Sequence, residues 1–254
     1  MAHDAPDQAA GGPAPSSPDA AWSPRGRSPL LWAGLQRILA DAGAAPQVLD
    51  CGGGSGSLAV PLAALGATVT VVDVSIDALA TLMRRAAEAG VPDRITAVQG
   101  EAESLAELVA ADAFDLVLAH DVLEDVLNPV PVVRQIATAL RPGGVLSAVV
   151  ANPVAGVLAR VLAGDVAGAL ETFSRPVRHS YDVETLAGQC RAAGLQVETI
   201  EGLGVFTDLV PGVELERPGV MAALSELESA VAGRPPYRDI ASRLHVQARR
   251  PAAG

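Results

Sequence analysis

The chain has 254 residues, half of them hydrophobic but only 3% aromatic, with a formal net charge of −11 and two cysteines. That length suits one α/β core with additions rather than several domains, and the charge disfavours a broad nonspecific hold on nucleic acid, which depends on Lys and Arg neutralising phosphates, while leaving room for a small local basic patch that holds one nucleotide loop. No apolar run reaches the about 20 residues of a membrane span, and the first residues lack the basic and apolar regions of a secretory signal, so a cytoplasmic protein without a membrane partner is expected.

Residues 1–24 mix Pro, Gly, Ala, Ser and Asp with no aliphatic period, the composition of a disordered arm. A Ser-Pro start at Ser28 and Pro29, followed by Leu31, Leu35, Ile38 and Leu39, predicts a helix over 29–40. Strand and helix patterns then alternate: strand 47–51, helix 57–65, strand 68–73, helix 75–89, strand 95–99, strand 114–119, helix 131–140 and strand 145–150. Alternation at this pitch means a parallel sheet covered on both faces. Further on, 154–170 reads as a helix interrupted by glycines, 171–181 as an arginine-rich loop and 183–193 as a helix. Strands are predicted at 196–200 and 244–248, with a helix over 213–232 inserted between them. Cys51 and Cys190 have no metal-ligand spacing around them and read as buried reduced thiols; no metal is expected.

The chemistry concentrates at the strand ends. Asp50-Cys51-Gly52-Gly53-Gly54-Ser55-Gly56 follows the apolar Val48-Leu49 and precedes a helix, and glycines there let the backbone turn sharply and approach a ligand closely. Asp73 ends the second strand, where a carboxylate can accept both hydroxyls of a ribose. Asp50 would repel a pyrophosphate but suits an ammonium, which sets S-adenosylmethionine (SAM) ahead of a nicotinamide dinucleotide. The dinucleotide alternative takes Gly54-Ser55-Gly56-Ser57-Leu58-Ala59 as its glycine fingerprint, but that turn begins too far from the strand.

In an open parallel sheet the ligand lies beyond the carboxyl ends of the strands. Strand three therefore offers Glu101 or Glu103 to an adenine amine and the Ala102 N–H to the ring, although carboxylates also favour a solvated first helical turn. Strand four offers His120 beside the expected methyl group, where a neutral imidazole can position substrate or carry a proton. The competing reading of His120 is a hydrogen-bonded core histidine. Glu124 and Asp125, in the following loop, read as solvated carboxylates.

Val48 through Gly56, Asp73, Phe114-Asp115-Leu116-Val117 and Leu140-Arg141-Pro142-Gly143-Gly144 together resemble the class I SAM-dependent methyltransferases over residues 46–150. A narrower resemblance, to the bacterial tRNA 5-carboxymethoxyuridine methyltransferases, runs from about 25 to 250. It rests on Arg27 through Leu31-Trp32 and Leu35, Asn152, Val161-Leu162-Ala163-Gly164-Asp165, Gly204-Val205-Phe206-Thr207-Asp208, Leu224 to Leu227 with Glu228, and Pro236-Tyr237 leading to Arg243-Leu244-His245-Val246. The loop that is lysine-rich in that branch is Glu171 to His179 here, with thinner positive charge.

The resemblance implies a Rossmann-like α/β fold with a mostly parallel seven-stranded sheet, helices on both faces and an antiparallel last strand. Within a domain at 25–250, residues 46–150 would hold the cofactor and 151–250 would supply the substrate side and last strands. SAM would lie on Gly52, Gly53, Asp73, Ala102, His120 and Arg27, the last on the methionine carboxylate, to which the residue-level reading adds Asp50, Gly54 and Glu101. The implied reaction esterifies the carboxylate of a modified wobble uridine, with tRNA as partner. A carboxylate is ionised at neutral pH, so alignment and desolvation would matter more than a base. Arg175, Arg178 and Arg243 are candidate clamps for it, and Tyr181 and Tyr237 can bond or stack on a base; Arg178 and Tyr237 lead. One alternative is a small-molecule O- or N-methyltransferase, in which His120 would be a true base; another is a SAM-binding protein without catalysis.

Overall fold

The computed structural model describes residues 28–174 and 181–252. Five strands carry the first half: β1 (Gln47–Cys51), β2 (Thr68–Asp73), β3 (Ile95–Gln99), β4 (Phe114–His120) and β5 (Leu140–Ala151). β6 (Gln196–Leu203) and β7 (Arg243–Arg249) complete a seven-stranded sheet of order β3-β2-β1-β4-β5-β7-β6. The pairings from β3 through β5 are parallel, while β7 runs antiparallel to both of its neighbours. The order reverses direction at β1 and β4, which opens a crevice at their carboxyl ends.

Alternation along the strands divides the core. Val48, Leu116, Leu118 and Val149 pack on one side with α1 (Pro29–Ala42), α2 (Ala59–Ala64) and α3 (Ile76–Glu88). Leu49, Val117, Leu146 and Val246 pack on the other with α4 (Leu105–Leu108), α5 (Pro129–Ala139) and α8 (Val183–Ala192). Both faces of the sheet are therefore buried, which is why its inner strands read as unbroken apolar runs. Asp115, 5% exposed, anchors β4 to the start of β1 by accepting from Gln47 N at 2.7 Å, and it also pairs with Arg141.

Local signals set the element boundaries. The Ser28 hydroxyl accepts from Leu30 N at 3.2 Å with Pro29 in the first turn, and Asn128 caps α5 in the same way from Val130 N, so that helix begins at Pro129 rather than 131. β5 starts at Leu140 because Leu140 already pairs with Phe114; the ladder shifts register before resuming at Leu116 and Val145, and the Arg-Pro-Gly-Gly turn lies inside that irregularity. The helix expected over 154–170 is two, α6 (Pro153–Leu162) and α7 (Val166–Ser174), and the one over 213–232 divides into α9 (Gly212–Leu215) and α10 (Val220–Val231) around Pro218-Gly219. α7 extends into the stretch read as loop, of which residues 175–180 lie outside the described residues. Among the described residues no helix is long and apolar enough to cross a membrane.

Candidate functional site

A cavity of about 690 Å³ opens at the carboxyl ends of β1 and β4, within the range of small-molecule and cofactor sites. Its floor is the turn after β1. Gly52 has φ +72°, and a Cβ there would overlap Val122 Cγ2; a Cβ on Gly53 would sit 2.5 Å from Asp50 Cγ. The first glycine is required by backbone conformation and the second by space alone. Asp50, 2% exposed, still lines the cavity.

Asp73 works on this turn from the end of β2. Its Oδ2 accepts from Gly54 N at 2.8 Å and its Oδ1 from Ser75 N at 2.9 Å, so one carboxylate ties the glycine turn to the start of α3. A carboxylate has room for about four hydrogen bonds, which leaves capacity for two hydroxyls of a ribose. From the far end of α3, Arg85 Nη1 donates to the Ser55 carbonyl at 3.0 Å and braces the turn from below. Arg85 was not legible as part of the site, since an arginine in the last turn of an amphipathic helix has the pattern of a solvated residue.

His120 is the last residue of β4 and lines the cavity. Its Nε2 lies 2.9 Å from Ser147 Oγ, itself 2.9 Å from Nε2 of the buried His245. Asp121 follows with φ +57°, a conformation unusual outside glycine and tolerated by aspartate, and it pairs with Arg243 across the cavity wall. Beyond Arg243 the wall is made by Gly204, Thr207 and Asp208 with Glu228 of α10. Glu228 Oε1 accepts from Phe206 N, Thr207 N and Thr207 Oγ1 at 3.0, 2.8 and 2.7 Å, stitching α10 to that turn.

The chain matches the model of a methyltransferase domain family over residues 25–200. It is 32% identical over 236 residues to the tRNA 5-carboxymethoxyuridine methyltransferase of Escherichia coli strain K12, an alignment covering 89% of this chain and 88% of that protein. The chain belongs to the SAM-dependent methyltransferases. This methyltransferase is also 34% identical to the ubiquinone biosynthesis O-methyltransferase of Xanthomonas axonopodis pv. citri, over 63% of its own length and 66% of the relative's. In fold it is similar to a SAM-dependent methyltransferase from Mesorhizobium loti, with a TM-score of 0.57, 22% identity, and 86% of this chain and 97% of that chain covered.

The methyltransferase's own geometry fits SAM: a glycine floor that side chains would fill, Asp50 buried at the strand end, and a two-oxygen acceptor at Asp73. Glu101 is exposed and Ala102 half-buried just beyond β3, next in line from Asp73 along the sheet edge. Glu103, the other expected adenine partner, is occupied elsewhere: its Oε1 accepts from Leu127 N at 2.9 Å. Glu124 is no solvated loop carboxylate either, since it accepts from Ala151 N, and burial pushes its carboxyl above the usual range.

The substrate-side candidates separate. Arg243 reaches the cavity. Tyr237, 43% exposed, stands outside the cavity lining and packs edge to face on Phe206 with ring centres 6.0 Å apart. Tyr181 requires correction: it is 1% exposed, its hydroxyl donates to the Leu123 carbonyl at 3.1 Å, and burial raises its pKa to about 12, so it is a core residue and not a surface for a base. Arg27, Arg175 and Arg178 lie outside the described residues. Both cysteines are free and buried; burial first, then the charges of Asp50, Asp73 and Glu103, pushes Cys51 up to about 12, and burial takes Cys190 to about 11. Neither thiol supplies a nucleophile at neutral pH.

Proposed function

We propose that this enzyme methylates the carboxylate of a modified uridine of the 5-carboxymethoxyuridine type in tRNA. The observation that carries the reading is the likeness to the Escherichia coli tRNA enzyme through 89% of the chain, well past the cofactor-binding half. Arg243 at the cavity wall supports it, because a guanidinium matches both oxygens of a carboxylate. When bound, SAM supplies an activated methyl group on a good leaving group. The chain's own residues then have to align and desolvate an acceptor that is already ionised: Gly52, Gly53 and Asp73 hold the nucleoside end, Asp50 meets the ammonium, and Arg243 orients the carboxylate.

One observation favours a second reading, a small-molecule O- or N-methyltransferase. Among the described lining residues Asp50, Asp121, Asp208 and Glu228 are acidic and only Arg243 is a full cation, a balance suited to a neutral or cationic acceptor. Incubating the enzyme with methyl-labelled SAM and, separately, small RNA and metabolites from the parent cell distinguishes the two. Label in a methyl-ester nucleoside after digestion of the tRNA fraction supports the first reading, and label confined to metabolites overturns it.

A further inference from the structure

Glu228 holds a place in α10 that the helix otherwise gives to aliphatic residues, since its buried positions are Leu224, Glu228 and Val231. A glutamate this deep, 9% exposed, is rarely kept without partners. Its two oxygens are used unequally. Oε1 accepts from Phe206 N, Thr207 N and Thr207 Oγ1, whereas Oε2 accepts from no donor among the described residues. The residue nevertheless lines the cavity.

The stitch between α10 and the 206–207 turn takes one oxygen, so the amide carbonyl of a glutamine would serve it as well. The second carboxylate oxygen is surplus to the fold, and withdrawing it from water without a donor costs free energy. Among the described lining residues the full cation, Arg243, is paired with Asp121 instead. An oxygen so placed is matched by an N–H or O–H on the ligand and mismatched by a carbonyl or carboxylate. Uracil has such a donor: its single ring N–H, at N3, lies on the edge that proteins read when a base is splayed out of its stack.

We propose that Glu228 is a specificity-determining residue, reading the imide N–H of the acceptor base through Oε2 while Oε1 keeps the wall in shape. Given a uridine acceptor, on which this assignment rests, the wall divides its work: Arg243 takes the carboxylate of the base's substituent and Glu228 takes the ring edge. A base lacking that hydrogen loses the contact and leaves a desolvated carboxylate oxygen facing it.

The test uses the full-length enzyme, methyl-labelled SAM and a synthetic RNA stem-loop carrying 5-carboxymethoxyuridine in its loop, beside the same RNA methylated at N3. A hydrogen bond to a charged group is worth about tenfold or more, so the wild type should lose at least that factor in kcat/KM on the N3-methyl RNA. Glu228→Gln keeps an acceptor for Phe206 and Thr207 but turns an NH₂ toward the base. It should fall at least tenfold on the unmethylated RNA, separate the two RNAs by less than about threefold, and bind SAM in calorimetry as the wild type does. Four results overturn the proposal while leaving the uridine reading standing: a wild type that labels both RNAs alike, a variant with wild-type kcat/KM, a variant that separates the RNAs as the wild type does, or a loss that falls on SAM affinity. A wild type that labels neither RNA overturns both. Should Glu228→Gln fail to fold, the comparison of the two RNAs on the wild type decides by itself.

Discussion

Replacing Asp73 by Asn tests the double duty of one carboxylate. In the wild type two backbone donors, Gly54 N at 2.8 Å and Ser75 N at 2.9 Å, share its two oxygens. An amide keeps one acceptor and turns a donor toward the other N–H. One hydrogen bond to a charged group is then lost, about 1.5–3 kcal/mol, and the ribose meets an NH₂ where an acceptor stood. Part of the loss falls on the fold; for a domain of this size each kcal/mol lowers the melting temperature by roughly 2–4 °C. The rest falls on SAM, where about 1.4 kcal/mol is tenfold in affinity. Isothermal calorimetry with SAM beside thermal unfolding separates the shares, and the expected result is affinity weakened at least tenfold with a fall of several degrees. Affinity within twofold of the wild type at an unchanged melting temperature would refute the role assigned to Asp73.

Gly52→Ala forces a side chain into φ +72° and against Val122 Cγ2; conformational strain and overpacking together should cost about 2–4 kcal/mol, measured by denaturant unfolding. Cys51→Ala tests a pH dependence. Because the folded thiol titrates near 12 against an ordinary value of 9.0, its contribution is complete below about pH 9 and is lost as pH rises toward 12, so wild-type stability should fall more steeply than the variant's between pH 9 and 11. Glu228→Ala releases three donors from one oxygen and should lower stability by about 2–3 kcal/mol; proteolysis should then cut first between Gly204 and Asp208.

What was legible in the sequence follows from range. The ends of β1, β2 and β3 were readable to the residue, because aliphatic runs stop at Cys51, Asp73 and Gln99 where turn chemistry begins. Both thiols were read correctly as buried. The glycine turn and Asp73 were recognisable because all their determinants lie within 25 residues. Tyr181 was misplaced because nothing local distinguishes a tyrosine whose hydroxyl will find the Leu123 carbonyl 58 residues away. The same holds for Arg85, and for Glu228, whose partners at Phe206 and Thr207 belong to a different element. The break between α9 and α10 was signalled by Pro218-Gly219, but the apolar spacing of Met221, Leu224 and Leu227 outweighed it.

The reversed direction of β7 sets a boundary through the pocket. A strand running against its neighbours delivers its first residue, not its last, to the crevice, so Arg243 arrives there from the far end of the polypeptide. Among the described residues, one part of the cavity lining lies between Ser28 and Asp121 and, Val149 apart, the rest comes from residue 203 onward. The two parts meet where Asp121 pairs with Arg243 and where Ser147 stands between His120 and His245, so changes there are coupled, while changes that share no partner add independently. Away from those contacts, the wall from residue 203 onward can be recut without touching the glycine turn.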